Sequence, residues 1–234
     1  MSAPALSIAF LDPEHGLYGN ARSGATMLFE GSSATVIQDG PGIQASNGHW
    51  TAELEGAFSL AFEPAADAAR LGGLLAHVCT VKGEVGGKKV KCLGTVVETS
   101  EPPHWEELDV LRTISAVFDP RHAFLALAER PRGAPGHGSE EVTGWLLQDG
   151  NAFSVEDARI STVYDGAGRQ RSAGLELWLA EEEFPRRGSG TVVAGSSLQL
   201  EGLEVHAAVF RWRMEDREGT GIYEVWVRDE PAAA

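Results

Sequence analysis

The chain has 234 residues, 43% hydrophobic and 23% charged, which suits one large β domain or two small ones and excludes disorder along most of its length. Its formal net charge of -15 opposes binding to a phosphate backbone, which needs Lys and Arg to release counterions, so nucleic acid and anionic membrane surfaces are excluded as partners. No run approaches the roughly 18 apolar residues of a membrane span, and the start lacks a basic segment followed by an apolar core, so a cytoplasmic protein is expected.

In chain order, short runs of strand-forming residues are cut again and again by Gly, Pro, Asn and Asp, and the 28 glycines make this all-β punctuation. Expected strands in the first half are Leu6 to Leu11, Leu17 to Glu30, Ala34 to Gln38, His49 to Leu54, Ala57 to Glu63, Leu74 to Lys82 and Lys88 to Glu98. Only Pro64 to Leu71 could hold a turn or two of helix. In the second half they are Arg112 to Phe118, Ala123 to Glu129, Glu141 to Gln148, Ala158 to Tyr164, Gly174 to Ala180, Thr191 to Leu200, Val205 to Arg213 and Ile222 to Arg228.

An internal repeat organises these runs. Phe10-Leu11-Asp12-Pro13-Glu14-His15 returns as Val117-Phe118-Asp119-Pro120-Arg121-His122, and Val36-Ile37-Gln38-Asp39-Gly40 returns as Leu146-Leu147-Gln148-Asp149-Gly150. Looser matches pair Gly56 to Phe62 with Ala173 to Leu179, and the hairpin around Gly86 with that around Gly202. A repeat of this period implies tandem lobes. The expected organisation is an N-terminal β lobe over residues 1–98, a linker over 99–106 marked by Pro102 and Pro103, a C-terminal β lobe over 107–230 and a frayed tail over 231–234. The oligomeric state is left open.

No nucleophile elbow, phosphate loop, dinucleotide fingerprint, paired-His zinc helix or calcium loop is present, so no metal or cofactor is expected. Cys79 and Cys92 flank the turn Lys82 to Lys88, and mirror pairing about it would set them opposite one another, as reduced thiols in a cytosolic setting. His15 and His122 could serve in acid-base work beside Asp12 or Glu14, but Asp-Pro also sets a tight turn, and a motif kept in both lobes favours the turn. His104 and Trp105, on the connecting segment, are inter-lobe candidates or a ring packed on a hinge. His137, beside Glu140 and Glu141 in a Gly/Pro loop, reads as a lid or as solvated loop.

Strand alternation supplies the main candidate site. Glu176 and Trp178 share one face of their strand, His206 and Trp212 share another with Ala208 and Phe210, and Glu224 shares a third with Ile222 and Trp226. Large aromatics with isolated ionisable groups make an apolar pocket with a few orienting polar groups, or else an outer sheet surface of cross-strand pairs. Glu176, Trp178, His206, Trp212, Glu224 and Trp226 are therefore the expected ligand-binding residues, and no catalytic residue is assigned.

The chain also resembles the lipocalin-like double β-barrel family that includes carotenoid hydratase and AttH-type proteins. The resemblance rests on Val81-Lys82-Gly83-Glu84-Val85, Cys92-Leu93-Gly94, the strand led by Arg112, Tyr164-Asp165-Gly166-Ala167-Gly168, Leu175-Glu176-Leu177-Trp178 and Gly219-Thr220-Gly221-Ile222-Tyr223-Glu224. Many relatives carry Arg-Asp-His-Ser-Trp-Gly after the strand ending near Gly94. Here that segment reads Gly94-Thr95-Val96-Val97-Glu98-Thr99-Ser100. The resemblance implies two tandem antiparallel calycin or lipocalin-like barrels or half-barrels related by duplication, and a small hydrophobic, isoprenoid or lipid-like ligand. The expected function is binding of that ligand. The alternative is a hydratase or isomerase acting on an unsaturated hydrophobic substrate by acid catalysis.

Overall fold

The computed structural model describes residues 4–180 and 182–228; the expected fraying of 231–234 lies outside them. The first lobe contains β1 (Ala5–Asp12), β2 (Leu17–Arg22), β3 (Ala25–Glu30), β4 (Ser33–Ile37), β5 (Gly42–Ser46), β6 (His49–Leu54), β7 (Phe58–Pro64), β8 (Ala69–Leu71), β9 (Leu74–Val85) and β10 (Lys88–Thr99). The second contains β11 (Leu108–Asp119), β12 (His122–Pro131), β13 (Glu141–Gln148), β14 (Asn151–Ser154), β15 (Asp157–Tyr164), β16 (Gln170–Trp178), β17 (Arg186–Leu200), β18 (Leu203–Met214) and β19 (Arg217–Arg228). A single 3-10 turn, His137–Ser139, is the only helical element among the described residues, and none of their helices could cross a membrane. The segment Pro64 to Leu71 holds no helix; it bends after Pro64 and ends in β8.

The strand order is β4-β3-β2-β1-β10-β9-β7-β6-β5 in the first sheet and β14-β13-β12-β11-β19-β18-β17-β16-β15 in the second, with β8 added beside β9. Both are curled antiparallel half-barrels of one topology, in which the first strand of each lobe pairs with its last. Most hairpins close through two residues, and the backbone left-handedness this needs falls on Asn47-Gly48, Asp149-Gly150, Glu201-Gly202 and Gly86-Gly87.

The duplication is real, but only one of the sequence matches lies on it. Asp12 and Asp119 end β1 and β11, and each carboxylate lies 2.8 Å from the following histidine's Nδ1, of His15 and His122. Backbone amides are bonded too, His15 N at 3.2 Å and Arg121 N at 2.8 Å, so the motif builds turns at equivalent places. The Gln-Asp-Gly match is not equivalent: Gln38-Asp39-Gly40 follows β4, whereas Asp149-Gly150 turns between β13 and β14, the counterparts of β3 and β4. Gly56 to Phe62 enters β7, but Ala173 to Leu179 lies within and just past β16, the counterpart of β6. Gly86 joins β9 to β10, whose counterpart turn is Glu215-Asp216 between β18 and β19, not Gly202. The longer β12 and the segment between β12 and β13 displace the second lobe's numbering and brought unrelated turns into apparent register.

A second equivalence is physical. Gly94 in β10 and Gly221 in β19 sit where a neighbouring backbone presses in, so that an added Cβ would lie 2.2 Å from the Ala9 oxygen and 1.7 Å from the Ser115 oxygen. Only glycine lets the last strand of each lobe approach the first so closely.

Both faces of the central strands are apolar. Ile8 and Phe10 of β1 face a first-lobe core with Trp50, Phe58, Phe62 and Val81, and Ile114, Phe124, Phe210 and Trp212 face a second-lobe core. The opposite faces meet each other: Ala9, Leu11, Met27 and Val78 pack against Leu125, Trp145, Val209 and Ile222 in a seam between lobes.

Cys79 stands opposite Gly94 and Cys92 opposite Val81, so the thiols are two positions out of the mirror pairing expected from the turn; both are free. Burial pushes each up to about 12. Because the thiolate is the reactive form, a mild alkylating reagent near neutral pH should modify two thiols per chain quickly in denaturant and far more slowly in the folded protein. Fast labelling of the native chain would contradict this burial.

Candidate functional site

The six residues expected to line one concavity occupy three separate surfaces. Glu176 and Trp178 lie on the outer face of β16, where Arg187 Nε donates to Glu176 at 2.9 Å and the Arg159 guanidinium sits 4.8 Å from the centre of the Trp178 ring. They are cross-strand surface pairs. Trp212 is wholly buried in the second-lobe core, its ring 5.1 Å from that of Phe124 and 5.6 Å from that of Phe210. His206 lies on the same face of β18, with Nδ1 2.6 Å from Ser197 Oγ. Glu224 and Trp226 face the seam.

There the first lobe reaches across. Asn20 Nδ2 donates to Glu224 Oε1 at 2.8 Å, Arg22 pairs with the same oxygen, and the Arg22 guanidinium lies 4.5 Å from the centre of the Trp226 ring. Trp105 joins this group, its ring 6.3 Å from that of Trp226, while His104 is exposed beside Glu106. The space left among Asn20, Arg22, Leu198, Glu224 and Trp226 is about 10 Å³, room for about one water and no ligand. The seam therefore locks the lobes together. Glu224→Gln should lower stability by about 1–3 kcal/mol, since it withdraws a charged acceptor from Arg22 and Asn20 in a largely buried setting. A double-mutant cycle with Arg22→Met, read by denaturant unfolding, should show coupling; additive losses would mean the pair does not act.

The interior of the second lobe holds a different cluster. Along β11, Val110, Ile114 and Ala116 point inward with Arg112, the only charged side chain in that row. Its register partners are Ala128 and Val225, and the small Ala126, Ala128 and Gly144 nearby leave space for a long side chain. Arg112 is 1% exposed. One terminal nitrogen donates to Tyr223 Oη at 3.1 Å and to Thr162 Oγ1 at 3.2 Å, and the other pairs with the Glu140 carboxylate; Nε has no hydrogen-bond partner among the described residues. Tyr223 and Thr162 are themselves 2.6 Å apart, and Gln170 reaches over to the backbone oxygens of His206 and Tyr223 at 3.0 and 3.3 Å. Burial pushes the Tyr223 hydroxyl up to about 12 against the opposing pull of Arg112, so it stays protonated.

Glu140 comes from the segment between β12 and β13, where Gly133 and Gly136 take positive φ and the 3-10 turn follows. Its side chain is 1% exposed. The Gly/Pro stretch thus folds over the end of the half-barrel and inserts a carboxylate. Counting back from the shared Asp-Pro turn past the bulge at Val117/Asp119, the first lobe has Leu6 where the second has Arg112. The first lobe instead holds His77 against Trp50, 4.6 Å between ring centres, with Nε2 3.5 Å from Glu98. It also has an open concavity of about 1260 Å³ among the tips of its hairpins, rimmed by Glu53, Glu55, Lys82, Glu84, Lys89 and Lys91. That rim is mostly charged and solvent-facing, whereas Arg112 and Tyr223 are buried beside the second-lobe core.

No protein-family model matches the chain, and no curated protein is similar to it in sequence. Solved structures are similar in fold. An AttH-type protein from Nitrosomonas europaea superposes with a TM-score of 0.64 at 12% identity, over 94% of this chain and 91% of that one. Kievitone hydratase from Nectria haematococca superposes with a TM-score of 0.58 at 10% identity, over 96% of this chain and 89% of that one. With two nine-strand half-barrels of one topology packed across a seam, this chain has the lipocalin-like double-barrel fold.

Proposed function

We propose that the chain binds a small, mainly apolar, isoprenoid or lipid-like molecule in the second lobe, at the end covered by the segment between β12 and β13. The observation that carries this reading is the group of buried Arg112 and Tyr223 with half-buried Thr162, set beside a large apolar core, the composition of a site that holds an apolar body and orients it through a few polar atoms. The two free thiols, Cys79 buried and Cys92 half-buried, accord with a reducing, cytoplasmic setting.

Native mass spectrometry and tryptophan fluorescence with a panel of farnesol, decanol and decanoate test it. Thr162→Val and Tyr223→Phe each remove one orienting hydroxyl and should weaken binding by about 0.5–1.5 kcal/mol. A panel that produces no bound species and no change in fluorescence or melting would overturn the reading.

The likeness to kievitone hydratase and the presence of Tyr223 favour a second reading, acid-catalysed hydration of an unsaturated apolar substrate. A hydroxyl pushed up to about 12 donates a hydrogen bond well and a proton poorly at neutral pH, and Glu224 accepts from Arg22 and Asn20 in the seam. Binding is therefore favoured. A product heavier by one water after incubation with an unsaturated probe would reverse that order.

A further inference from the structure

We infer that the second lobe selects anionic ligands, apolar monocarboxylic acids, and that Glu140 occupies the place of the ligand's carboxylate until the ligand displaces it. This rests on the binding reading above. Arg112 is buried and divides its fork, one terminal nitrogen donating to the Thr162 and Tyr223 hydroxyls and the other pairing with a carboxylate. That carboxylate belongs to Glu140, which is delivered by a Gly/Pro-rich connecting segment and not by the sheet. The core beside the pair is apolar and includes Val225, the register partner of Arg112, with Val142, Ile160 and Val227 packed on it.

The energetics then decide the charge of the ligand. A guanidinium taken out of water needs a counter-charge, and removing only the partner of a buried pair is strongly unfavourable. When the segment lifts and takes Glu140 into solvent, a neutral molecule entering the site would leave Arg112 unpaired. A carboxylate restores the ion pair at the second terminal nitrogen and brings its apolar chain into the lobe. Exchange of one carboxylate for another leaves the charge of the site unchanged, and the internal carboxylate lowers the apparent affinity by competing for the same fork.

The experiment is calorimetric titration of decanoate and decanol, acid and alcohol of equal chain length, into the whole chain and its variants. Decanoate should bind the native chain at least tenfold more tightly than decanol. Glu140→Gln, which weakens the competitor, should raise decanoate affinity at least tenfold and leave decanol affinity unchanged. Because Arg112→Met alone can fail to fold, the double variant Arg112→Met with Glu140→Met replaces the pair by apolar side chains, and should bind decanol as well as it binds decanoate. Equal affinity for acid and alcohol in the native chain, or an unchanged decanoate affinity in Glu140→Gln or in the double variant, overturns the anion assignment while the binding reading stands. Failure of both probes to bind native chain and Glu140→Gln alike overturns both.

Discussion

Trp212→Ala is expected to cost about 3–5 kcal/mol of folding stability, lowering the melting temperature by roughly 6–20 °C for a chain of this size. The ring is wholly buried, stacked on Phe210 at an interplanar angle of 28° and edge-on to Phe124 at 90°, and it lies over Gly188 and Gly190, which have no side chains to fill the gap. Removing it leaves a cavity that the flanking strands cannot close without breaking their ladders. Trp212→Phe should lose less, within about 1.5 kcal/mol, because the indole nitrogen has no hydrogen-bond partner among the described residues and its loss leaves none of them unpaired. Thermal and urea unfolding followed by circular dichroism measure both. A loss under about 1 kcal/mol for Trp212→Ala would show that the ring is not part of a packed core.

Gly221→Ala should be nearly as damaging, with a loss above about 3 kcal/mol, although it adds a single methyl group. The added carbon would fall 1.7 Å from the Ser115 oxygen and 2.6 Å from Ala116 Cα, which are backbone atoms of a paired strand and cannot rotate aside. β11 and β19 would have to separate at the centre of the sheet. Gly94→Ala, at the equivalent place in the first lobe and 2.2 Å from the Ala9 oxygen, should behave alike, whereas Gly166→Ala meets nothing within 4 Å and should stay within about 0.5 kcal/mol. Equal melting temperatures for Gly221→Ala and Gly166→Ala would refute the crowding.

Local signals were legible where the chemistry is local. Asp12-Pro13 and Asp119-Pro120 set their turns through proline's restricted backbone and the aspartate's bond to a nearby amide, so both could be read without neighbours. Asn47-Gly48 carries the same kind of signal, a two-residue hairpin between β5 and β6, yet β5 itself, Gly42-Ile43-Gln44-Ala45-Ser46, is too polar and too short to stand out. β8 and β14 do not stand out for the same reason: three and four residues leave no alternation to read. Arg112 was visible as one charge inside Val110-Leu111-Arg112-Thr113-Ile114, and Glu140 as an acid in the Gly/Pro loop, but nothing in the spacing of 28 residues announced that they would pair.

By itself the sequence determined the all-β class, the placing of most turns and the existence of two lobes, because turn chemistry and strand alternation act over a few residues. Alternation also sorted residues correctly into faces: Glu176 with Trp178, His206 with Trp212, Glu224 with Trp226. Only the tertiary structure decided where each face points. In most β proteins the apolar face of a strand is its inner face, but here the central strands are apolar on both sides, one toward their own half-barrel and one toward the other lobe. A period of two cannot distinguish those directions. That is why three faces that look alike in sequence became an outer surface, a filled core and a seam, and why the polar group that stands out in the fold is the one assembled from β11, β15, β19 and the segment after β12.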